Sequence, residues 1–439
     1  MKRVFFAIAL ISAVFVSCKP KAETTVTEPS WYVNEAYFNE KNGMYEEMPV
    51  YPTNIVMVGD DYIDRGVWNE MYGDTTLKNR GITYDATEHV LSRIAGIAAG
   101  HPAKIFVSVG ANDIEHEENP GDVAERIDMI FAKIKGISPE TSCYWINIVN
   151  LFDDPVKAAN AKEVNSTVAV NCIKGGYACI DMDAKLNAGI RSGEYSWDNG
   201  KHLNGKGYEA YAQALDPFME KKHFNKAVDT EYADPINDYY RHRTSLFLSL
   251  PRHKHKIVML GNSLNNNALW AELFPLGLVL NRGISGDVIT GVDQRLDEVA
   301  SLEPNKIFLM TGSNDFFNDG NVTVSEVWGR YEKLIKDIKA KMPETILYVQ
   351  SVLPVNPMTS FYDGFNAKAA ELNKLLEAGQ EKHEYIYLDV ATNLTDENGD
   401  LKASCTTDGI HLSAEGYFVW ATILAQGSRM MVLQNPFKQ

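Results

Sequence analysis

Ile257-Val258-Met259-Leu260-Gly261-Asn262-Ser263 is a run of four apolar residues that stops at a glycine and puts a hydroxyl two residues later. A short apolar run bounded by turn residues reads as a strand covered on both faces. The stretch therefore predicts a buried strand entering a sharp turn with Ser263 at its tip. The same segment stands 202 residues earlier (Gly59 against Gly261) as Ile55-Val56-Met57-Val58-Gly59-Asp60-Asp61, with aspartate in the serine's place. At that offset Asn79-Arg80-Gly81-Ile82 repeats as Asn281-Arg282-Gly283-Ile284, and Gly110-Ala111-Asn112-Asp113 as Gly312-Ser313-Asn314-Asp315. Three collinear blocks at one spacing mean a duplicated domain. Only the second copy offers a serine nucleophile.

The length of 439 residues suits two domains of about 200 residues better than one core. The formal charge of −16 leaves no basic stripe to neutralise phosphates, which excludes a nucleic-acid binder. Lys2 and Arg3, an apolar stretch over residues 4–16, and Ser17 before Cys18 have the order of an export signal. Phe15-Val16-Ser17-Cys18 resembles the lipobox of bacterial lipoproteins, with Phe15 where leucine is usual. That resemblance implies cleavage before Cys18, lipid attachment to it, and an exported protein anchored to a membrane. Residues 1–18 are then a signal peptide and 19–30 a polar tether. The first copy covers residues 31–224 and the second 225–439, with a charged joining stretch near 225–234. Export permits disulfides, and Cys172 and Cys179 are close enough in sequence to pair or to stay free. No zinc-type cysteine or histidine spacing occurs.

Each copy opens with a helical segment, residues 32–48 and 236–250. In the second copy, residues 257–260, 307–310, 346–352 and 385–388 read as strands. Between them, Val327, Tyr331, Leu334, Ile335 and Ile338 share one face of a helix. Thr323 and Glu326 ahead of it have capping-box spacing. Strands and helices in alternation predict an α/β domain with a central parallel sheet between helices. In such sheets ligands bind beyond the carboxyl ends of the strands, where the serine turn and the Gly-Ser-Asn-Asp turn both lie.

Ser263 alone reads equally well as a helix cap. Its chemical partner comes from the other end of the chain, where Asp408-Gly409-Ile410-His411 puts a carboxylate three residues before an imidazole. The aspartate can hold the ring's Nδ1–H, which leaves Nε2 free to take a proton from a serine hydroxyl. Acyl transfer also needs donors for a developing oxyanion. The amide of Ser263, the amide of Gly283 and the side chain of Asn314 can supply them, although Gly283 and Asn314 also suit plain turns.

Together these blocks resemble the GDSL, or SGNH, hydrolase family of esterases and lipases. The matched blocks are Gly261-Asn262-Ser263, Asn281 through Asp287, Gly312-Ser313-Asn314-Asp315 and Asp408-Gly409-Ile410-His411-Leu412. The resemblance implies two tandem flavodoxin-like three-layer α/β/α domains and ester hydrolysis without metal or cofactor. It makes Ser263 the nucleophile, His411 the base and acid, and Asp408 its orienter. Ser263, Gly283 and Asn314 form the oxyanion hole. Asn262 replaces the family's usual aspartate at a position that supports the turn. The turn also lacks the second glycine of the Gly-x-Ser-x-Gly elbow, which points away from α/β-hydrolases.

The first copy keeps Gly81, Asn112 and His202 but puts Asp61 at the nucleophile position and Asn199 three residues before His202. Asp198 stands one residue too early and reaches the imidazole only if the loop adjusts. A carboxylate nucleophile would form a reactive anhydride, so this copy reads as catalytically degenerate. A second reading makes Asp60, Asp61, Asp113 and His202 a cation site. Trp68 and Trp270 occupy matching positions and suit the core, and Asp85 and Asp287 suit braces for the glycine loop. His253 and His255 lie in a solvated basic run. The expected function is a serine ester hydrolase acting on a small-molecule or glycan ester, foremost an acetyl ester of carbohydrate. The alternatives are a lipase or lysophospholipase, and a glycan-binding protein built from two degenerate copies. The two copies are expected to pack on each other.

Overall fold

The computed structural model describes residues 35–224, 237–428 and 430. The leader with Cys18, the tether and the joining stretch lie outside the described residues. The first sheet holds β1 (Ile55–Gly59), β2 (Leu77–Gly81), β3 (Lys104–Ser108), β4 (Ser142–Ile146) and β5 (Ala178–Ile180). The second holds β6 (Ile257–Gly261), β7 (Val279–Gly283), β8 (Lys306–Met310), β9 (Ile346–Gln350) and β10 (Ile386–Leu388). Their orders are β2-β1-β3-β4-β5 and β7-β6-β8-β9-β10, every pair parallel. Both are the 2-1-3-4-5 order of flavodoxin-like sheets.

Alternation along β6 explains the layers. Val258 and Leu260 point to one face, where Val327, Tyr331, Leu334 and Ile338 of the helix Val324–Lys341 cover them. Met259 points to the other, among Trp270, Tyr417 and Trp420. The Thr323–Glu326 capping box is present at the start of that helix. β7 was not among the expected strands: Asn281 and Arg282 interrupt its apolar pattern. Both are satisfied by tertiary partners, Asn281 Nδ2 donating to the Asn265 carbonyl at 2.7 Å and Arg282 forming ion pairs.

The copies are joined by exchange. Each has an opening helix, Glu35–Glu47 and Asp238–Ser249. Met44 and the following Met48 pack into the second copy's core beside Leu264, Leu412 and Tyr417. Leu246, Phe247 and Leu250 pack into the first copy's core beside Trp68, Tyr208 and Tyr211. Reciprocal ion pairs complete the junction. Arg80 on β2 meets Glu272 at 2.7 Å, and Arg282 on β7 meets Glu70 at 3.0 Å. Arg80 and Glu70 repeat as Arg282 and Glu272 at the 202-residue offset, so residue i meets j and j meets i. That reciprocity is the signature of an isologous two-fold interface, here within one chain. It also carries the edge strands β2 and β7 to the junction, where ion pairs cover the ends of both.

Candidate active site

β6 ends at Gly261, and Asn262 caps the short helix Ser263–Asn267. The Asn262 side chain accepts from the Leu264 amide at 3.2 Å and donates to Ser313 Oγ at 2.9 Å. It thus ties the serine turn to the turn after β8, and an amide serves where the family has a carboxylate. The Ser263 hydroxyl lies 3.0 Å from His411 Nε2, and His411 Nδ1 lies 2.6 Å from Asp408 Oδ2. The other oxygen of Asp408 accepts the backbone amides of Ile410 at 2.8 Å and His411 at 2.7 Å. The loop therefore fixes the acid before the acid fixes the ring. Burial pushes the Asp408 carboxyl up, but the hydrogen bond and charge of His411 and the two amides outweigh it and hold it below the usual carboxylate range. Burial pulls His411 down, but the Asp408 hydrogen bond and the charges of Glu40 and Asp408 leave it above an ordinary histidine.

The geometry removes Gly283 from the expected oxyanion hole. Its amide donates to Asn281 Oδ1 at 2.8 Å. Its missing side chain serves close packing instead, because a Cβ there would sit 2.2 Å from the Asn266 nitrogen. The first copy reveals which groups do face the site. There Asp61 Oδ2 accepts the Tyr84 amide at 3.0 Å and Asn112 Nδ2 at 3.4 Å, while Asn112 Nδ2 also donates to the Asp85 carbonyl at 3.1 Å. The Asp61 carboxylate thus stands in for an oxyanion in its own copy. At the repeat offset Tyr84 becomes Gly286, which takes a left-handed φ of +79° and lines the cleft, and Asn112 becomes Asn314. Asn314 Nδ2 makes the matching bond to the Asp287 carbonyl at 2.8 Å. By this correspondence Gly286 and Asn314 occupy the positions of the two groups that hold the Asp61 carboxylate in the first copy. Asp287 braces this loop through Arg295 at 2.9 Å, as Asp85 does through Arg93 at 2.6 Å; burial pushes the Asp287 carboxyl up to about 6.

Asn199 does not take up the acid's position in the first copy. It turns into a left-handed conformation at φ +56°, which absorbs the extra residue, and Asp198 reaches His202 Nδ1 at 2.5 Å. The proposed cation set does not assemble: Asp61 is paired with Arg65 at 3.2 Å, and Asp113 is bound to Thr87 and Arg126. Among the described residues, Asp198, His202 and His242 are the one group with three convergent donors, within 4.8 Å of one another. His242 Nε2 there already accepts the Trp197 amide at 3.1 Å. Trp68 and Trp270 are buried in the core and edge the cleft. His253 is not merely solvated; its Nε2 meets the Glu70 carbonyl at 3.0 Å across the junction. Cys172 and Cys179 are free thiols.

One cleft of about 660 Å³ collects these parts from both copies. Ser263, Asn314, Phe361 and His411 line it, as do Lys41, Arg65, Lys201, His202 and Arg243.

The model of the GDSL-like lipase/acylhydrolase family matches residues 60–210 and again 261–418. The chain belongs to that family. Both copies of this GDSL-like protein are therefore family domains, each with the family's sheet. It is 29% identical over 156 residues to platelet-activating factor acetylhydrolase IB subunit alpha2 of Rattus norvegicus, covering 34% of this chain and 63% of that one. The alpha1 subunit of Homo sapiens is 27% identical over 173 residues, covering 37% and 70%. The chain thus spans under two thirds of the alpha2 relative's length. Among solved structures, a GDSL-like lipase from Bacteroides thetaiotaomicron is 23% identical, covers 43% of this chain and 96% of its own, and has a TM-score of 0.38. A member of the lipolytic G-D-S-L family from Veillonella parvula is 19% identical, covers 40% and 100%, and has a TM-score of 0.34.

Proposed function

We propose that the second copy hydrolyses esters through an acyl-enzyme on Ser263, and that the first copy does not turn over. The observation that carries this reading is the unbroken relay from Ser263 Oγ through His411 to Asp408, set against a first copy whose Asp61 fills its own anion hole. In the reaction, Oγ attacks the ester carbonyl carbon and its proton passes to His411 Nε2. The carbonyl oxygen becomes an oxyanion held by the amides of Ser263 and Gly286 and by Asn314. Collapse of this intermediate breaks the bond to the alcohol, which leaves with the proton from His411. Water then repeats the sequence on the acyl-serine, releasing acid and free hydroxyl. Asp408 keeps the ring in the tautomer that presents Nε2 and stabilises the imidazolium.

The substrate in this reading is an acetyl ester of a carbohydrate. The alpha2 relative is named as an acetylhydrolase, which supports a two-carbon acyl group. The cleft walls carry Asn69, Asn79, Asn266, Asn267 and Asn281. Asn79, Asn266, Asn267 and Asn281 are held by partners within the protein, and the lining they present is polar, which suits a hydroxyl-rich alcohol better than a long alkyl chain. Lipid attachment at Cys18 is part of the proposal and would hold the enzyme at a membrane. A fluorophosphonate probe is expected to label Ser263 in folded protein. The Ser263→Ala variant is expected to lose roughly 10⁴- to 10⁶-fold in kcat on acetylated sugars. Absence of labelling, or substantial turnover by the variant, overturns the assignment. A preference for long-chain acyl esters overturns the substrate.

A further inference from the structure

Lys41 and Arg243 are repeats of one another on the two opening helices, and they differ in what neutralises them. The Lys41 ammonium meets Asp64 at 3.1 Å. At the matching offset Asp64 becomes Asn266, which cannot balance a charge. Arg243 is 7% exposed, and among the described residues no carboxylate lies within ion-pair distance of it. Among the described residues its hydrogen bond runs from Nη1 to the Arg65 carbonyl at 2.5 Å and its buried Nε has no partner, while its Cζ lies 4.9 Å from the centre of the Phe247 ring. The interface carboxylate Glu70 is held by Arg282, and Asp61 by Arg65. A buried guanidinium without a counter-ion is strongly disfavoured, because the desolvation of the charge is not offset. Such a charge persists where an anion completes it. Arg243 lines the cleft that holds Ser263, and so does Lys201, also without a carboxylate partner among the described residues; Arg65 links the two, its carbonyl accepting from Arg243 and its guanidinium donating to the Lys201 carbonyl.

We propose that the part of the cleft where the second copy's opening helix lies against the first copy is a subsite for an anionic group, carboxylate or phosphate, carried on the alcohol part of the ester, with Arg243 of that helix as its principal contact and Lys201 of the first copy as a second cation. The inference rests on the hydrolase reading of Ser263 and gives the junction a part in it: the helix exchanged onto the degenerate copy, with that copy's Lys201, selects the substrate that Ser263 cleaves. The planar guanidinium of Arg243 matches either anion through paired donors.

The test compares three acetyl esters: a neutral methyl glucoside, the corresponding methyl glucuronoside, and a sugar phosphate. Wild type is expected to favour one of the anionic esters over the neutral one by about tenfold or more in kcat/KM, and which anion wins separates uronate from phosphate. Arg243→Met is expected to remove that preference by about 10- to 100-fold, chiefly through KM, and to leave the neutral ester within about twofold. Arg243→Lys should fall between. Equal rates on all three esters in wild type, or equal loss on neutral and anionic esters in Arg243→Met, overturns the proposal. If Arg243→Met does not fold, wild type answers alone. Free glucuronate or inorganic phosphate must then compete with neutral-ester hydrolysis, and absence of competition by both overturns it. Failure of the hydrolase reading is distinguishable, because it appears as absent fluorophosphonate labelling of Ser263 or as turnover that survives Ser263→Ala.

Discussion

Glu40 lies on the helix that opens the first copy, yet its carboxylate accepts from Asn267 Nδ2 at 3.1 Å and Tyr417 Oη at 3.2 Å, both in the second copy. It is 1% exposed. Its repeat is His242, whose ring lies 5.3 Å from that of His202. At one position, then, the opposite copy places an acid near the histidine that faces a serine and an imidazole near the one that does not. The consequence concerns protons. Burial pushes Glu40 up while the charges of His411 and Lys41 pull it down, and in return its charge favours the imidazolium of His411. In the proposed mechanism His411 must be neutral to accept the proton of Ser263, so activity is expected to rise as pH climbs through the His411 pKa. Glu40→Gln withdraws support from the charged form, lowers that pKa, and is expected to move the acid limb of the kcat/KM profile to lower pH. Profiles of wild type and variant on one ester check this. A limb that stays in place would mean that Glu40 keeps its proton across the range and acts only through its hydrogen bonds.

At the scale of elements, the strand-turn-helix unit appears in both copies with the same glycine contacts and differs in what fills the hole beyond it. Asp61→Ser removes the carboxylate that the Tyr84 amide and Asn112 now hold. It also supplies a hydroxyl beside a His202 that Asp198 already orients. The double variant Asp61→Ser, Ser263→Ala is therefore expected to take a fluorophosphonate label at residue 61, read by peptide mass mapping. Ser263→Ala alone should take none. This unit was legible in the sequence because an apolar run, a glycine and a polar cap are local signals. The pairing of Asp408 with His411 was equally local. The amide that faces the cleft was not: Gly283 and Gly286 share one loop, and only the bond from Gly283 to Asn281 separates their roles. Asp198 was left conditional on a loop adjustment because the spacing cannot show that Asn199 turns left-handed. β7 was hidden because the partners that satisfy Asn281 and Arg282 come from a distant turn and from the other copy. Glu40, Tyr417 and Arg243 were missed for the same reason, since each acquires its role only across the junction.

Across the whole molecule, the reciprocal ion pairs look equivalent but are not. Arg282 holds Glu70 at 3.0 Å and also Glu298 at 3.0 Å within its own copy. Arg80 holds Glu272 at 2.7 Å, and its other hydrogen bonds go to the carbonyls of Asn79 and Met48. Removing Glu70 leaves Arg282 with a carboxylate, whereas removing Glu272 leaves a fully buried guanidinium with none. Breaking a buried pair from one side typically costs about 3–5 kcal/mol, most of it from the charge left behind. Glu272→Ala is expected to destabilise by that amount and Glu70→Ala by about 1–3 kcal/mol, measured by urea unfolding. The exchanged helices put Met44 in one core and Leu246 in the other, so neither copy can open its core without disturbing its partner. Both variants should accordingly unfold in a single transition, with tryptophan fluorescence and esterase activity lost together. A first transition that spares activity would show instead that the copies fold as independent units and that the junction merely brings them side by side.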